Sequence, residues 1–180
     1  MDSANPETCY DHWAAWSIER LLVECELRRQ KRSGPGGQHR NKVETAVVAE
    51  HKPTGIRGEA SERRSQDLNR QQAIQRLRVN LALEIRGPRS SPGVLLSPSE
   101  LWRSRTKSGR ISCSAEHGHF PALLAEALDA IAVSLPDPTP AALHLGISPS
   151  QLVKLLAVEH RALDQLNSAR KAAGLHALRG

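Results

Sequence analysis

Aromatic side chains are scarce in this chain of 180 residues, where they make up 3% of the sequence. Proteins that read single-stranded nucleic acid stack the bases on several aromatic side chains of one sheet. No segment that could form a strand here contains such a set, so that class of nucleic-acid reader is excluded. The aromatic residues are Tyr10, Trp13, Trp16, Trp102 and Phe120.

Long apolar runs are also missing. No stretch of about eighteen apolar residues occurs, which excludes a membrane-spanning helix. The N-terminal segment is neither basic nor apolar, unlike a secretory signal. Hydrophobic residues still make up 39% of the chain, enough to bury a core. We therefore expect a folded, soluble, cytoplasmic protein without a membrane partner.

Cysteines are few and scattered, at Cys9, Cys25 and Cys113, and no Cys-x-x-Cys pair occurs. This spacing is typical of reduced thiols in a cytosolic protein. Cys113 lies near His117 and His119, but these three ligands lack a second cluster to complete a zinc site. We therefore expect no metal and no cofactor.

The positive charge is unevenly distributed. The net charge of +6 divides into +3 over residues 1–86, +4 over 87–110 and −1 over 111–180. The densest basic stretch, 20–42, surrounds the most glycine-rich one. A basic chain with few aromatics suits the phosphate backbone of a structured nucleic acid better than exposed bases.

The pattern of residues 1–86 predicts an α+β domain. Residues 12–22 suit a short helix, and three strand candidates follow. From about residue 65 to 86, one apolar stripe predicts a helix that packs on a small sheet of about three strands. The strand candidates are 23–30, 43–51 and 56–60, and the stripe is Ile74, Leu77, Leu81 and Ile85. Three arginines lie off the stripe and are predicted to face solvent or a partner: Arg70, Arg76 and Arg78.

Residues 87–110 predict a basic linker rich in proline, serine and glycine, followed by a short helix. We expect Ser97 to cap that helix, with Pro98 as its first residue. Residues 111–180 predict an all-α C-terminal region. The predicted domains are therefore 1–86, 87–110 and 111–180.

Within the C-terminal region, residues 139–160 have the spacing of a helix-turn-helix. Ala142, Gly146 and Leu152 hold the positions of the helix crossing, the turn and the second helix, with a cap at Ser148. The second helix carries Lys154 as its one base, which is too little charge for a DNA reader. We favour a packing unit in a small helical bundle.

The loop at residues 33–42 reads Ser-Gly-Pro-Gly-Gly-Gln-His-Arg-Asn-Lys. It lacks the Gly-x4-Gly-Lys pattern of a phosphate-binding loop. The loop resembles the GGQ motif of class I peptide-chain release factors. Residues 53–56 and 64–69 resemble the next turn and the opening of the next helix in that family. The resemblance covers roughly residues 22–86.

The resemblance implies a ribosome-dependent hydrolase of the ester that joins a nascent peptide to tRNA. Its catalytic residues would be Gly36, Gly37 and Gln38. By resemblance, the backbone amide of Gln38 stabilises the charge that develops on the leaving oxygen. The glycines permit backbone angles that other residues reach only with strain. The Gln38 side chain would position water, and it is a candidate for a glutamine methyltransferase.

The residues that flank the glutamine suit contacts with RNA. We expect Arg32, Arg40 and Lys42 to meet phosphates beside the tRNA acceptor end. His39 is interpreted as solvated or facing RNA rather than as a general base. Asn41 could hold the base of the loop by hydrogen bonds to the backbone. The implied partners are the large ribosomal subunit with its rRNA and peptidyl-tRNA, bound by a monomer.

Stop-codon-reading release factors are about twice as long and carry a decoding domain, for which the residues before the first strand leave no room. The sequence therefore favours codon-independent ribosome rescue. In rescue hydrolases of this kind the C-terminal extension is a basic tail, whereas residues 111–180 here predict a folded region with net charge −1. Two alternatives are a non-hydrolytic ribosome-binding accessory factor and a nucleic-acid-binding protein built on residues 139–160.

Overall fold

A computed structural model of the chain describes residues 11–30, 45–87 and 97–180. They divide into two compact units. We call residues 16–81 the sheet unit, and the described part of residues 1–15 together with 82–180 the helical unit. The domain boundaries expected after residues 86 and 110 remain a prediction, because compact packing does not show which segments fold independently.

The sheet unit begins with a short helix α1, Ile18–Val23, which the Ser17 side chain caps by accepting from Arg20 N–H. The strands β1, Cys25–Gln30, β2, Ala46–His51, and β3, Arg57–Ala60, form an antiparallel sheet in the order β1-β2-β3. The helix α2, Gln66–Glu84, follows. This mixed arrangement confirms the predicted α+β class.

The central strand β2 and one stripe of α2 provide the core of the sheet unit. Val47, Val48 and Ala49 are buried, as are Ile74 and Leu77 on the helix. Small residues on β3 let the helix approach the sheet. A Cβ on Gly58 would lie 2.2 Å from both the Ala73 carbonyl oxygen and the Leu77 nitrogen. Close packing of β3 against α2 therefore depends on glycine at this position.

The sequence predictions for the elements between residues 12 and 86 hold with three corrections. The helix expected over residues 12–22 is two pieces, a 3-10 turn at Trp13–Ala15 and α1, since Ser17 starts a new helix. Arg78 is not at the surface but is 7% exposed, and desolvation lowers the pKa of its guanidinium. Ile85 lies beyond the end of α2, although Ile74, Leu77 and Leu81 are buried as predicted.

The helical unit is built around one buried helix. Its elements are α3, Glu100–Arg105; β4, Thr106–Lys107; β5, Arg110–Ile111; α4, Phe120–Ala132; α5, Thr139–His144; α6, Pro149–Ala157; and α7, His160–Ala172. Helix α4 is buried along almost its whole length. It packs against α5, α6 and the 3-10 turn.

Two acidic side chains of α4 are buried, and each accepts hydrogen bonds from a distant segment. Glu126 accepts from the backbone N–H and the hydroxyl of Ser99, each at 2.6 Å. Asp129 accepts from Gly87 N–H, with both oxygens at 3.0 Å. Ser99 is also the N-cap of α3, so the cap expected at Ser97 was wrong by two residues. The contact with Glu126 selects the second serine.

The turn between α5 and α6 follows the sequence prediction. Gly146 has a φ of +69°, a conformation that favours glycine. Ser148 caps α6 by accepting from Gln151 N–H, and Pro149 is the first residue of that helix. In the described ranges, no helix combines the length and the apolar character that crossing a membrane requires.

Candidate functional site

The predicted site residues fall in a segment outside the described residues. This holds for the catalytic candidates Gly36, Gly37 and Gln38 and for the candidate RNA contacts Arg32, His39, Arg40, Asn41 and Lys42. The structure does describe the two strands on either side of that segment. Strands β1 and β2 are antiparallel neighbours, and Gln30 pairs with Ala46 in their register. The residues that precede and follow the segment therefore meet at one end of the sheet.

Asn69 is the buried polar residue at that end of the sheet. Its amide nitrogen donates to the Thr45 carbonyl at 2.6 Å and to the Arg63 carbonyl at 2.8 Å. Its amide oxygen accepts from Arg63 N–H at 2.9 Å. The side chain is fully buried, so these bonds replace water around the amide. Asn69 thus joins the first turn of α2 to the residue immediately before β2.

His51 holds the other end of β2. Its Nε2 lies 3.1 Å from a Glu24 carboxylate oxygen, and its Nδ1 lies 2.9 Å from the Thr54 hydroxyl. A carboxylate can only accept, so Nε2 donates to Glu24, and in the neutral ring Nδ1 accepts from Thr54. The Thr54 hydroxyl in turn accepts from Ile56 N–H. The Pro-Thr-Gly turn, where Gly55 has a φ of +70°, is thereby fixed to the end of α1.

Helix α2 is fastened to β3 by polar contacts along its exposed side. Arg76 donates to the Glu59 carbonyl and to the Glu62 carboxylate, each at 2.6 Å. That guanidinium lowers the pKa of the Glu62 carboxyl. Asn80 donates to the Arg57 carbonyl at 2.6 Å. These bonds and the close approach at Gly58 fix α2 on the sheet, so Asn69 has a defined position.

Exposed cations surround the end of the sheet unit that Asn69 organises. Arg63, Arg64 and Arg70 are exposed, and none forms an ion pair with another residue of the described ranges. Two arginines elsewhere on the sheet are neutralised, since Arg28 pairs with Glu26 at 2.8 Å and Arg57 with Glu50 at 2.9 Å. The uncompensated charge is suited to phosphate contacts.

The described cysteines lie in surroundings that disfavour the thiolate. Cys25 and Cys113 are free thiols, and partial burial raises the pKa of each. A raised pKa lowers the fraction of thiolate, which is the reactive form. Cys113 also lies in the predicted but disfavoured zinc cluster. There the guanidinium of Arg105 lies 3.0 Å from His117 Nε2 and 2.8 Å from His119 Nδ1. Among the described residues, no group of three or more His, Cys, Asp or Glu is arranged to hold a metal ion.

Sequence reasoning missed the two buried polar residues that brace β2. Asn69 was noted as part of a motif, but its contact with Thr45 was not foreseen. His51 was placed in a strand without a role. The one available signal was a polar residue at a position where the helical or strand pattern expects a buried side chain.

The comparisons with known proteins point to one family. Residues 17–92 match the RF-1 domain. The chain is 45% identical over 93 residues to the "Mitochondrial translation release factor in rescue" of Danio rerio, covering 50% of this chain and 60% of that protein. It is 44% identical over 64 residues to "Peptide chain release factor 1" of Caldicellulosiruptor saccharolyticus, covering 36% of this chain and 18% of the relative.

A third relative, "Peptide chain release factor 1" of Xylella fastidiosa, is 49% identical over 49 residues, or 27% of this chain and 14% of the relative. The chain thus spans between about one seventh and three fifths of the length of these relatives. No solved structure matches it at a significant level. The matched segment contains the sheet, α2 and the Gly-Gly-Gln sequence, and it includes the stretch on which the resemblance was based. The match to the RF-1 domain over residues 17–92 agrees with the resemblance to class I release factors.

Proposed function

We propose that this protein hydrolyses the ester of peptidyl-tRNA in the ribosomal peptidyl-transferase centre without reading a stop codon. The observation that carries the proposal is the RF-1 domain match over a segment that contains Gly36, Gly37 and Gln38. The implied partners are rRNA of the large subunit and peptidyl-tRNA. The protein is proposed to act as a cytoplasmic monomer without a cofactor, although the name of one relative includes the word mitochondrial.

The match covers a larger share of the release factor in rescue than of release factor 1. This difference supports a function that does not depend on reading a stop codon. Similarity to release factor 1 covers 18% of the relative from Caldicellulosiruptor saccharolyticus. Similarity to the release factor in rescue covers 60% of that protein. A function shared with release factor 1 would therefore reside in the matched segment rather than in the rest of that longer chain.

In the proposed reaction, water adds to the ester carbonyl and the bond between the acyl carbon and the ribose 3′ oxygen breaks. The 3′ oxygen leaves with a proton, which gives a free peptide acid and a deacylated tRNA. Negative charge develops on oxygen during this step, and a fixed N–H donor stabilises it more in the transition state than in the ground state. The proposed donor is the backbone amide of Gln38.

The side chains around Gln38 are proposed to position the loop and to restrict the nucleophile. The Gln38 side chain would orient water and exclude larger nucleophiles. Arg32, Arg40 and Lys42 would bind phosphates, with the exposed Arg63 and its neighbours on the sheet unit adding to that positive surface. His39 would face RNA, and Asn41 would hold the loop base.

Peptide release from ribosomes stalled on truncated mRNA tests the proposal. Gln38→Pro removes the N–H donor and should slow release by about a hundredfold or more. Gln38→Ala keeps that donor, so a milder loss is expected, together with release by small amines such as hydroxylamine. Gly37→Ala should be severely impaired if the loop needs a backbone conformation that only glycine reaches. Gln72→Ala, an exposed glutamine on α2, is the control.

Equal release by wild type, Gln38→Pro and Gln38→Ala would contradict the proposal. Sedimentation with large subunits without any release would instead favour a non-hydrolytic accessory factor. Methylation of Gln38 by a glutamine methyltransferase is a separate part of the proposal. It is checked by the mass of the tryptic peptide that contains residue 38.

A further inference from the structure

The helical unit carries a small β-hairpin that lies outside the RF-1 match. Strands β4 and β5 pair Thr106 with Ile111 and Lys107 with Arg110. The two turn residues, Ser108 and Gly109, have φ values of 48° and 71°. Positive φ at both central residues is typical of the tight turn that matches the twist of paired strands. The hairpin is thus a regular element of defined geometry.

The hairpin is anchored on its inner side. Trp102 at its base is fully buried, and its indole Nε1–H donates to the Leu145 carbonyl at 2.8 Å. The Thr106 hydroxyl links the hairpin to α3, because it donates to the Trp102 carbonyl at 3.0 Å. Ile111 is buried, and β5 packs on α6. The exposed side chains of the hairpin are therefore presented from a fixed base.

The outer side is positively charged, and the exposed Glu100 and Glu116 lie just beyond it on either side in the sequence. Residues 101–115 contain four bases and no acid. Arg103, Lys107 and Arg110 are exposed, and they make no ion pair with any residue in the described part of the chain. Lys107 and Arg110 are direct cross-strand partners. Like charges in that arrangement repel each other and destabilise the pair, so a bound anion would relieve a cost already present.

The residues exposed on the hairpin indicate which class of anion it could bind. The aromatic ring at the hairpin base, Trp102, is fully buried and cannot stack on a base. The one large apolar side chain on the strands, Ile111, is also buried, which removes the anchor that a membrane or a protein hot spot would need. Exposed Ser108 adds a hydroxyl beside the cations, whereas the Ser104 hydroxyl donates to the Leu101 carbonyl. Cations and hydroxyls without stacking rings suit the phosphate backbone of a folded RNA.

We propose that the β4–β5 hairpin, with Arg103 at its base, is a second RNA-binding surface that contacts the phosphate backbone of a structured RNA. It lies in the helical unit and is distinct from the Gly-Gly-Gln segment. The choice of RNA among polyanions rests on the proposed function, whereas the charge arrangement stands independently of it. The surface gives the helical unit a role in holding the protein on RNA even though residues 111–180 carry a net charge of −1.

The test measures binding of the full chain to a short fluorescent RNA duplex of mixed sequence over a series of salt concentrations. The variant is Lys107→Gln with Arg110→Gln. The matched control is Lys171→Gln with Arg179→Gln, two exposed cations of the same unit. Loss of two phosphate contacts should reduce the slope of log affinity against log salt by about two. It should weaken binding by up to about thirtyfold at about 0.15 M salt.

The control should keep the affinity and the slope of wild type. Equal losses in the two double variants would overturn the proposal, because a general effect of net charge would then explain both. Full competition by a polyglutamate peptide at matched charge would also overturn it. Thermal unfolding supplies a second readout, because relief of the Lys107–Arg110 repulsion predicts that the hairpin variant unfolds no earlier than wild type. Peptide release by the wild-type protein is measured in a separate assay. Failure of the proposed hydrolytic function can therefore be distinguished from failure of the proposed RNA-binding surface.

Discussion

Asn69 is a buried residue that joins the backbone of Thr45 to that of Arg63. Its amide binds the Thr45 carbonyl and both backbone groups of Arg63, three groups at two positions that no local pattern brings together. Because the amide is fully buried, its polar atoms have no access to solvent if these partners are lost. The residue therefore fixes the backbone position of Thr45, immediately before β2.

Replacement of Asn69 by aspartate tests this role. The change removes both N–H donors and places a carboxylate against the Thr45 and Arg63 carbonyl oxygens. We expect the free energy of unfolding to fall by about 2–4 kcal/mol, as for a buried polar group left without its partners. Denaturant titration measures the change.

Gln72→Glu makes the same amide-to-acid change at an exposed position of the same helix and should cost less than about 0.5 kcal/mol. Comparable losses at the two positions would show that acidity on α2, rather than the three hydrogen bonds, is responsible. Peptide release should fall with Asn69→Asp and not with Gln72→Glu.

Individual residues also differ in how far their roles could be predicted from the sequence. The Gly-Gly-Gln sequence and its basic flanks could be found because their residue types are unusual in that order. The roles of Asn69 and His51 could not, since their partners are largely backbone groups or lie up to 27 residues away. The order of residue types along the chain does not indicate which backbone carbonyl a buried side-chain amide will bind.

Among the elements, the packing of β3 on α2 leaves no room for a side chain larger than that of glycine at position 58. Gly58 faces backbone atoms of Ala73 and Leu77, and neither can move aside as a flexible side chain could. The helix carries Asn69, so any shift of α2 away from β3 also shifts that amide. The close approach thus links the packing of the element to the geometry at the loop base.

Gly58→Ala should therefore destabilise the sheet unit by about 2–3 kcal/mol, the cost of overpacking a rigid contact. Urea titration followed by far-ultraviolet circular dichroism measures it. Gly118→Ala is the matched control, because a Cβ there meets no atom within 4 Å. If Gly58→Ala were as stable as Gly118→Ala, the backbone contact would not limit the packing.

For the helices, apolar periodicity predicted the buried positions well, whereas local capping patterns predicted the helix starts less well. The stripe on α2 was predicted because apolar spacing alone places Ile74, Leu77 and Leu81 on one side. The cap of α3 was misplaced because Ser97 and Ser99 are equivalent in a local pattern. The choice depends on Glu126, which is 27 residues further along the chain.

At the scale of the whole molecule, a buried histidine joins distant parts of the helical unit. His12 Nδ1 accepts from Ala14 N–H at 3.0 Å, and its Nε2 lies 3.2 Å from the Ile85 carbonyl oxygen, to which it donates. Burial lowers the pKa of His12, and the nearby Asp129 opposes that shift. Both hydrogen bonds are compatible with the neutral ring, whereas a charged ring could not accept from Ala14.

This arrangement predicts that stability falls at mildly acidic pH. A histidine with a lowered pKa in the folded state binds fewer protons there than in the unfolded chain. Its contribution is therefore complete above about pH 6.5 and is lost as the pH falls toward the lowered pKa. Denaturant titrations between about pH 7.5 and 5 should show a smaller decline for His12→Gln than for wild type.

The remaining seven histidines are common to both proteins, so the difference between the two curves reports on position 12. Parallel curves would mean that the ring does not titrate differently on folding. The sequence could not suggest this contact, because residue 12 has no periodic neighbours and its partner atoms lie at positions 14 and 85.

The order of the two units along the chain has a consequence for synthesis. Residues 16–81 form one uninterrupted stretch, whereas the helical unit combines residues from both sides of it. A chain that emerges from its N-terminus can complete the sheet unit early, since domains generally fold as they are made. Residues 13–15, which pack on α4, must wait until residues 120–132 have been translated. A nascent chain would thus carry a completed sheet unit while its helical unit was still incomplete.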